Sequence, residues 1–157
     1  RVPLIFRGPG IPAGRQVDKY VYLHDIYPTL CDLAGFQIPA TVQSRSVFPA
    51  FSEASFKGRD EVFFAYLNIQ RAVVKDQFKL VRYNVNGVAR TQLFDLKADP
   101  FEMKDLSGEK RYQNKVKQLT SLLSATTKQA GDFCNLDEPG WGHPEKWTQA
   151  EVRKLNP

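Results

Sequence analysis

The chain has 157 residues, about the size of one ordinary domain, and a formal net charge of +5. Hydrophobic residues make up 42% and charged residues 25%, which supplies a core and excludes a disordered tail. No apolar run reaches the ~20 residues that cross a bilayer, so no membrane partner is expected.

The basic residues Lys104, Lys110, Arg111, Lys115 and Lys117 alternate with apolar positions of one predicted helix. They read as a solvated helix face, and with no basic cluster interleaved with aromatics, no nucleic-acid partner is expected. Two cysteines, Cys31 and Cys134, are too few for a disulfide scaffold. Cys31 falls in an apolar helix and reads as a buried thiol; a bridge between the two stays open. Arg1 is not a start methionine, so the chain is expected to be cut from something longer.

In chain order, Val2–Phe6 ("VPLIF") is a continuous apolar run and predicts a strand covered on both faces, as in a parallel sheet. "RGPGIPAG" is loop. "HDIYPTLCDLAG" predicts a helix with Asp25 as N-cap, Pro28 in the first turn and Gly35 as a left-handed C-cap. Ile26, Leu30 and Leu33 fall at helical spacing and predict one buried stripe. Residues 36–60 read as loop.

Four strands are predicted next: 61–66, 71–75, 78–85 and about 89–96. A tight Asp76-Gln77 turn joins the second to the third, and Asn86-Gly87, a strong hairpin signal, joins the third to the fourth. Such short connections make neighbours antiparallel. Asp99-Pro100-Phe101-Glu102 has the spacing of a capping box and predicts a helical turn there. A helix over roughly 109–128 places Tyr112, Val116, Leu119 and Leu123 on one face, over the sheet. The tail from Gly131 predicts an extended wrap anchored by Trp141 and Trp147.

Taken together, "VPLIFRGPGIPAG", "DIYPTLCDLAG", "SRSVFPAF", "RAVVKDQFKLVRY" and "QLFDLKADPFEMKDLS" resemble, in order, the C-terminal landmarks of sulfatases, the arylsulfatase-like branch of the alkaline phosphatase superfamily. The resemblance covers residues 2 to about 125. Ser44 stands where the family usually has glycine, Val74 where a second arginine is frequent, and Asp105 where asparagine is frequent.

The resemblance implies an α/β enzyme, α+β in the part present here. Residues 1–58 would be the last βα segment of a large mixed-sheet domain. Residues 59–130 would be a small four-stranded antiparallel sheet packed on a C-terminal helix, and 131–157 an extended tail. It also implies hydrolysis of sulfate esters of a small molecule or glycan by the intact protein. That chemistry uses a formylglycine nucleophile and a divalent cation, Ca2+ by the family's habit, both expected in the portion preceding this chain.

The formylglycine signature C/S-x-P/A-x-R has no match at Cys31, Cys134 or Ser52. The acids Asp25, Asp95, Asp99, Glu102 and Asp105 read as caps, turn formers or surface charge. His24 flanks a helix cap and His143 lies in the tail. No catalytic and no metal-binding residue is therefore expected in the chain, and the isolated chain is expected to be inactive.

The resemblance further implies that the loops Leu67–Arg71 and Asn84–Arg90 lean toward the mouth of an active-site cleft. It makes Arg71 and Asn68 the candidate substrate-binding residues, with a structural salt bridge as the competing reading of Arg71. A periplasmic or secreted location is the expectation the family carries. Two alternatives stay open: the tail of a phosphodiesterase or phosphonate hydrolase of the same superfamily, and a non-catalytic module that binds a carbohydrate or a partner chain.

Overall fold

The computed structural model describes residues 2–85, 87–138 and 140–142. The chain divides into two compact units, one up to Asp60 and one from Glu61 onward. The expected boundary was 58/59, and residues 131–142 belong to the second unit.

In the first unit, a single turn of 3-10 helix over Leu23–Asp25 leads into α1, Ile26–Ala34, and a second 3-10 turn covers Phe48–Phe51. Gly35 closes α1 at φ 72°, where any side chain would be strained. Its position lets the Phe36 amide donate to Cys31 O at 2.8 Å, satisfying a carbonyl the helix leaves open.

Two expectations fail in this unit. Residues 2–6 form no strand, and Ile5 is 85% exposed. An isolated strand cannot satisfy its own backbone groups, and no described residue pairs with this one. The stripe on α1 is also misplaced. Leu30 is 51% exposed, whereas Pro28, Thr29 and Cys31 are buried. The physical reason is a polar network that turns the helix. The Thr29 hydroxyl donates to Asp25 O at 2.6 Å and accepts from the Val47 amide at 2.9 Å, so the Thr29 side faces the chain around Val47.

The second unit is a meander. Strands β1 (Glu61–Tyr66), β2 (Gln70–Lys75), β3 (Phe78–Val85) and β4 (Val88–Asp95) lie in that order, each antiparallel to the next. These are the four predicted strands, with ends shifted by a residue at most. Asp76 takes φ 55° in the β2–β3 turn, a conformation aspartate tolerates. In the β3–β4 turn Gly87 takes φ 78°, while Asn86 lies outside the described residues.

Register puts Val73, Leu80 and Leu93 side by side on one face of the sheet. Helix α2, Gln113–Gln129, covers that face with Leu119 and Leu123, and Tyr112 and Val116 pack at its start. Leu106, Cys134, Leu136 and Trp141 complete the cluster. Each leucine removed from water here contributes about 1.5–3 kcal/mol, so this face carries most of the unit's stability. Trp141 is the anchor the tail was expected to supply; Trp147 lies outside the described residues.

The capping box at Asp99 does not form. Glu102 takes φ 56° and its carboxylate is drawn to Lys79 Nζ, at 2.6 and 2.9 Å, away from the Asp99 amide. Asp99 accepts instead from the Lys104 amide at 2.8 Å, making a turn and not a helix. The acid that shapes this stretch is Asp105. Its Oδ1 accepts from the amides of Leu93 at 3.1 Å and Ser107 at 2.8 Å, while the Leu106 amide donates to Leu93 O. The free edge of β4 is thereby capped at Leu93. Burial pushes the Asp105 carboxyl up, but the bonds from Ser107 and Leu93 outweigh it and hold the group below the usual carboxylate range.

Candidate functional site

Of the two candidate substrate-binding residues, Asn68 lies in the β1–β2 connection and Arg71 is the second residue of β2. The Arg71 side chain points to the α2 face of the sheet, in register with Arg82. It is only 2% exposed. Nε and Nη2 donate to the two carboxylate oxygens of Asp132, at 2.5 and 3.0 Å, in a bidentate pair. Nη1 donates to Leu67 O and Gln70 O, each at 2.7 Å. The structural salt bridge weighed for Arg71 is thus present, and its partner is a residue 61 positions away in sequence.

Asn68 sits half-buried in the turn itself. Its carbonyl lies 3.8 Å from the Cys134 thiol, a weak donor, and against Gly142. A Cβ on Gly142 would come within 2.6 Å of Asn68 O, and Gly142 has φ 75°, so only glycine fits there. The Ile69 carbonyl accepts from the Asn84 amide at 2.9 Å. Every carbonyl from Leu67 to Gln70 is therefore engaged. Arg71 and Asn84 hold three of them from within the sheet, and Asp132, Cys134 and Gly142, which all follow α2, back Arg71 and pack against the fourth.

Two features of this loop stand out chemically. Leu67 takes φ 47°, a left-handed conformation that is disfavoured by about 1 kcal/mol for a branched apolar residue, and its side chain is 68% exposed. Burial raises the Cys134 thiol above the ordinary cysteine range, so it stays a protonated donor to Asn68 O at neutral pH.

The second expected loop is less informative. The Asn84 side chain is buried, and among the described residues its Oδ1 has no hydrogen-bond partner. Arg90 is exposed. On the sheet face away from α2, Gln70, Lys79, Tyr83, Val85, Gln92 and Phe94 line an open concavity of about 390 Å³.

The remaining chemical candidates have structural tasks. The Asp25 carboxylate is fully buried and forms a bidentate pair with Arg59, accepting also from the amides of Tyr22 at 2.8 Å and Arg45 at 3.1 Å. Its burial pushes the carboxyl up, but Arg59 and the two amides hold it below the usual range. The expected role as side-chain N-cap of α1 is replaced by this pairing, and the bond to Tyr22 caps the 3-10 turn instead. His24 is exposed and stacks on Tyr22; His143 lies outside the described residues. Cys31 and Cys134 are both free thiols. Among the described residues no three His, Cys, Asp or Glu side chains gather to hold a metal ion.

Asp132, Cys134 and Gly142 escaped the sequence reading because nothing in "GDFCNLDEPGWG" marks a partner for a distant arginine. The one available signal was chemical: a predicted interior arginine requires a carboxylate somewhere.

Comparison with known proteins bears on the chain as a whole. Arylsulfatase K from Homo sapiens is 34% identical over 119 residues, which is 68% of this chain and 22% of that protein. N-acetylglucosamine-6-O-sulfatase from Bacteroides thetaiotaomicron is 31% identical over 144 residues, 84% of this chain and 26% of that protein. The solved structure of a 2-O GAG sulfatase superimposes with TM-score 0.62 at 30% identity, over 82% of this chain and 30% of its own. The chain thus spans about a quarter of the length of the curated relatives it matches. Residues 1–129 match the family described as N-sulphoglucosamine sulphohydrolase, C-terminal, and the chain belongs to that family of sulfatase C-terminal regions.

Proposed function

We propose that this chain is the C-terminal part of an enzyme that hydrolyses a sulfate ester of a sugar. The observation that carries the reading is the match of residues 1–129 to a sulfatase C-terminal family, an alignment that includes the whole sheet and helix. Relatives named for N-acetylglucosamine-6-O-sulfate and for 2-O GAG sulfate favour a sulfated glycan over a simple aryl sulfate.

In this proposal the formylglycine nucleophile and the divalent cation lie in the rest of the enzyme and supply the attack on sulfur when present. The residues of this chain build and aim the β1–β2 loop. Asn68 offers an amide to the substrate, and Arg71 serves the substrate through the loop carbonyls it holds.

The test compares two purified proteins, the 157-residue chain and the full-length gene product. The full-length protein is expected to release sulfate from 6-sulfated N-acetylglucosamine or from a 2-O-sulfated uronic acid disaccharide, and the isolated chain to release none. Turnover by the isolated chain would remove the division of labour. Full-length protein that cleaves phenyl phosphonate and no sulfate ester would move it to the phosphonate hydrolases.

A further inference from the structure

We infer that the strap over residues 132–138 is a latch on the end of the sheet. It opens by itself while the sheet and α2 stay folded, and its opening is passed to the β1–β2 turn through one joint, the carboxylate of Asp132. The latch consists of contacts inside the second unit and is independent of the sulfated-sugar reading.

The latch begins where α2 ends. Gly131 takes φ 67°, its amide donates to Lys128 O, and the Asp132 amide donates to Thr127 O, both at 3.1 Å. This pair of bonds is a left-handed helix stop, and it fixes the direction in which the chain leaves the helix. That direction brings Asp132 to Arg71.

Asp132 joins three elements. Its two oxygens accept from Arg71 Nε and Nη2, its Oδ1 accepts also from the Cys134 amide at 2.9 Å, and its own amide is tied to α2. Arg71 in turn donates to Leu67 O and Gln70 O. Loss of the carboxylate charge leaves a buried guanidinium without its counter-charge, a state relieved only when the arginine moves. Such movement frees the two turn carbonyls, so strap and turn loosen together.

Two observations make the strap separable from the rest of the unit. Beyond Asp132 it reaches the core with two side chains, Cys134 and Leu136, while its Glu138 amide donates back to Asn135 O within the strap itself. The strap also does not lie flush on the helix. Ser124, Thr127 and Lys128 of α2 and Asp132, Asn135 and Asp137 of the strap share a cavity of about 240 Å³. A strap arched over such a space forfeits few packing contacts when it lifts. A segment with few buried apolar groups and a locally closed backbone belongs to the low-stability end of a native structure. Leu80, Leu93 and Leu123, by contrast, are fully buried between sheet and helix.

Cys134 reports the state of the latch, because its thiol is buried beside Asn68 O. Cys31, buried in the first unit, is the internal control. The test is alkylation of the full-length protein at increasing urea, with each cysteine read by peptide mass spectrometry. In wild type, Cys134 labelling at low urea is expected to depend weakly on urea, since lifting the strap exposes little surface. Asp132→Asn is expected to speed Cys134 labelling without urea by about a hundredfold, while Cys31 changes less than about twofold. Amide exchange over residues 67–71 is expected to rise with it. Leu136→Ala loosens the strap without touching the ion pair and is expected to speed Cys134 labelling by about tenfold or more, which keeps the test decisive if Asp132→Asn does not fold. Cys134 labelling with the full urea dependence of global unfolding, in wild type and in Leu136→Ala, would overturn the latch. Faster Cys134 labelling in Asp132→Asn with unchanged exchange at 67–71 would overturn the joint.

Discussion

The two units solve the same problem by opposite means. The second, from Glu61, closes an apolar cluster between one sheet face and α2, with Leu80, Leu93 and Leu123 fully buried. The first, up to Asp60, leaves Leu23, Tyr27, Leu30 and Phe36 exposed and is knit together around one buried carboxylate, Asp25. Within this chain, the first unit is joined by charge-assisted bonds between distant points rather than by a closed apolar cluster. The difference also fixes where each unit is vulnerable.

The largest effect is expected at Asp25. Asp25→Asn removes the charge partner of Arg59 and weakens bonds to two amides, and breaking such a buried pair costs about 3–5 kcal/mol. Amide exchange in α1 should accelerate by more than about a hundredfold, an amount that 1.4 kcal/mol per decade translates into nearly 3 kcal/mol. The same node predicts acid sensitivity. The folded carboxyl lies below its unfolded value, so its contribution is fully present above the ordinary carboxylate pKa of about 4 and is lost as pH falls through the lower, folded value. Exchange in α1 that is unchanged in the variant would show that the first unit relies on its apolar contacts after all.

The second unit should fail through its core. Leu123→Ala creates a cavity between α2 and the sheet and should lower unfolding free energy by about 2–5 kcal/mol, read from urea titration of tryptophan fluorescence. The paired control is Leu30→Ala in the first unit, which is expected to shift stability by no more than about 0.5 kcal/mol because that side chain is exposed. Equal losses at the two positions would erase the contrast between the units.

How far the residues announce this arrangement follows from the same contrast. The four strands and α2 are legible because their signals are local and agree with their packing: alternation, tight turns at 76–77 and 86–87, and leucines at helical spacing. "VPLIF" and the α1 stripe mislead because an apolar run specifies a wish to be buried and not a partner. Arg71 and Asn68 are singled out only through the family resemblance, and the grip of Asp132, Cys134 and Gly142 on their loop is a tertiary fact spanning more than 60 residues of sequence.

The smallest predicted effect addresses the one local rule that failed inside the well-behaved unit. Glu102 combines a left-handed backbone with an ion pair to Lys79, and the two act in opposite directions. Glu102→Gly should relieve a left-handed conformation disfavoured by about 1–2 kcal/mol, offset by about 0.5–1 kcal/mol of extra entropy that glycine loses on folding. It should also remove a partly exposed pair, a loss of about 0.2–1 kcal/mol. The expected net change is within about 0.5 kcal/mol, measured by the same urea titration, and high salt should make the variant relatively more stable because it screens the pair present only in wild type. If the variant instead loses more than 1 kcal/mol in a salt-independent way, then Glu102 holds the 97–105 turn against β3 by more than charge. The backbone at Asp99-Pro100 would then be shaped by tertiary packing of that carboxylate, and the failed capping box would be explained by competition for Glu102 rather than by the turn itself.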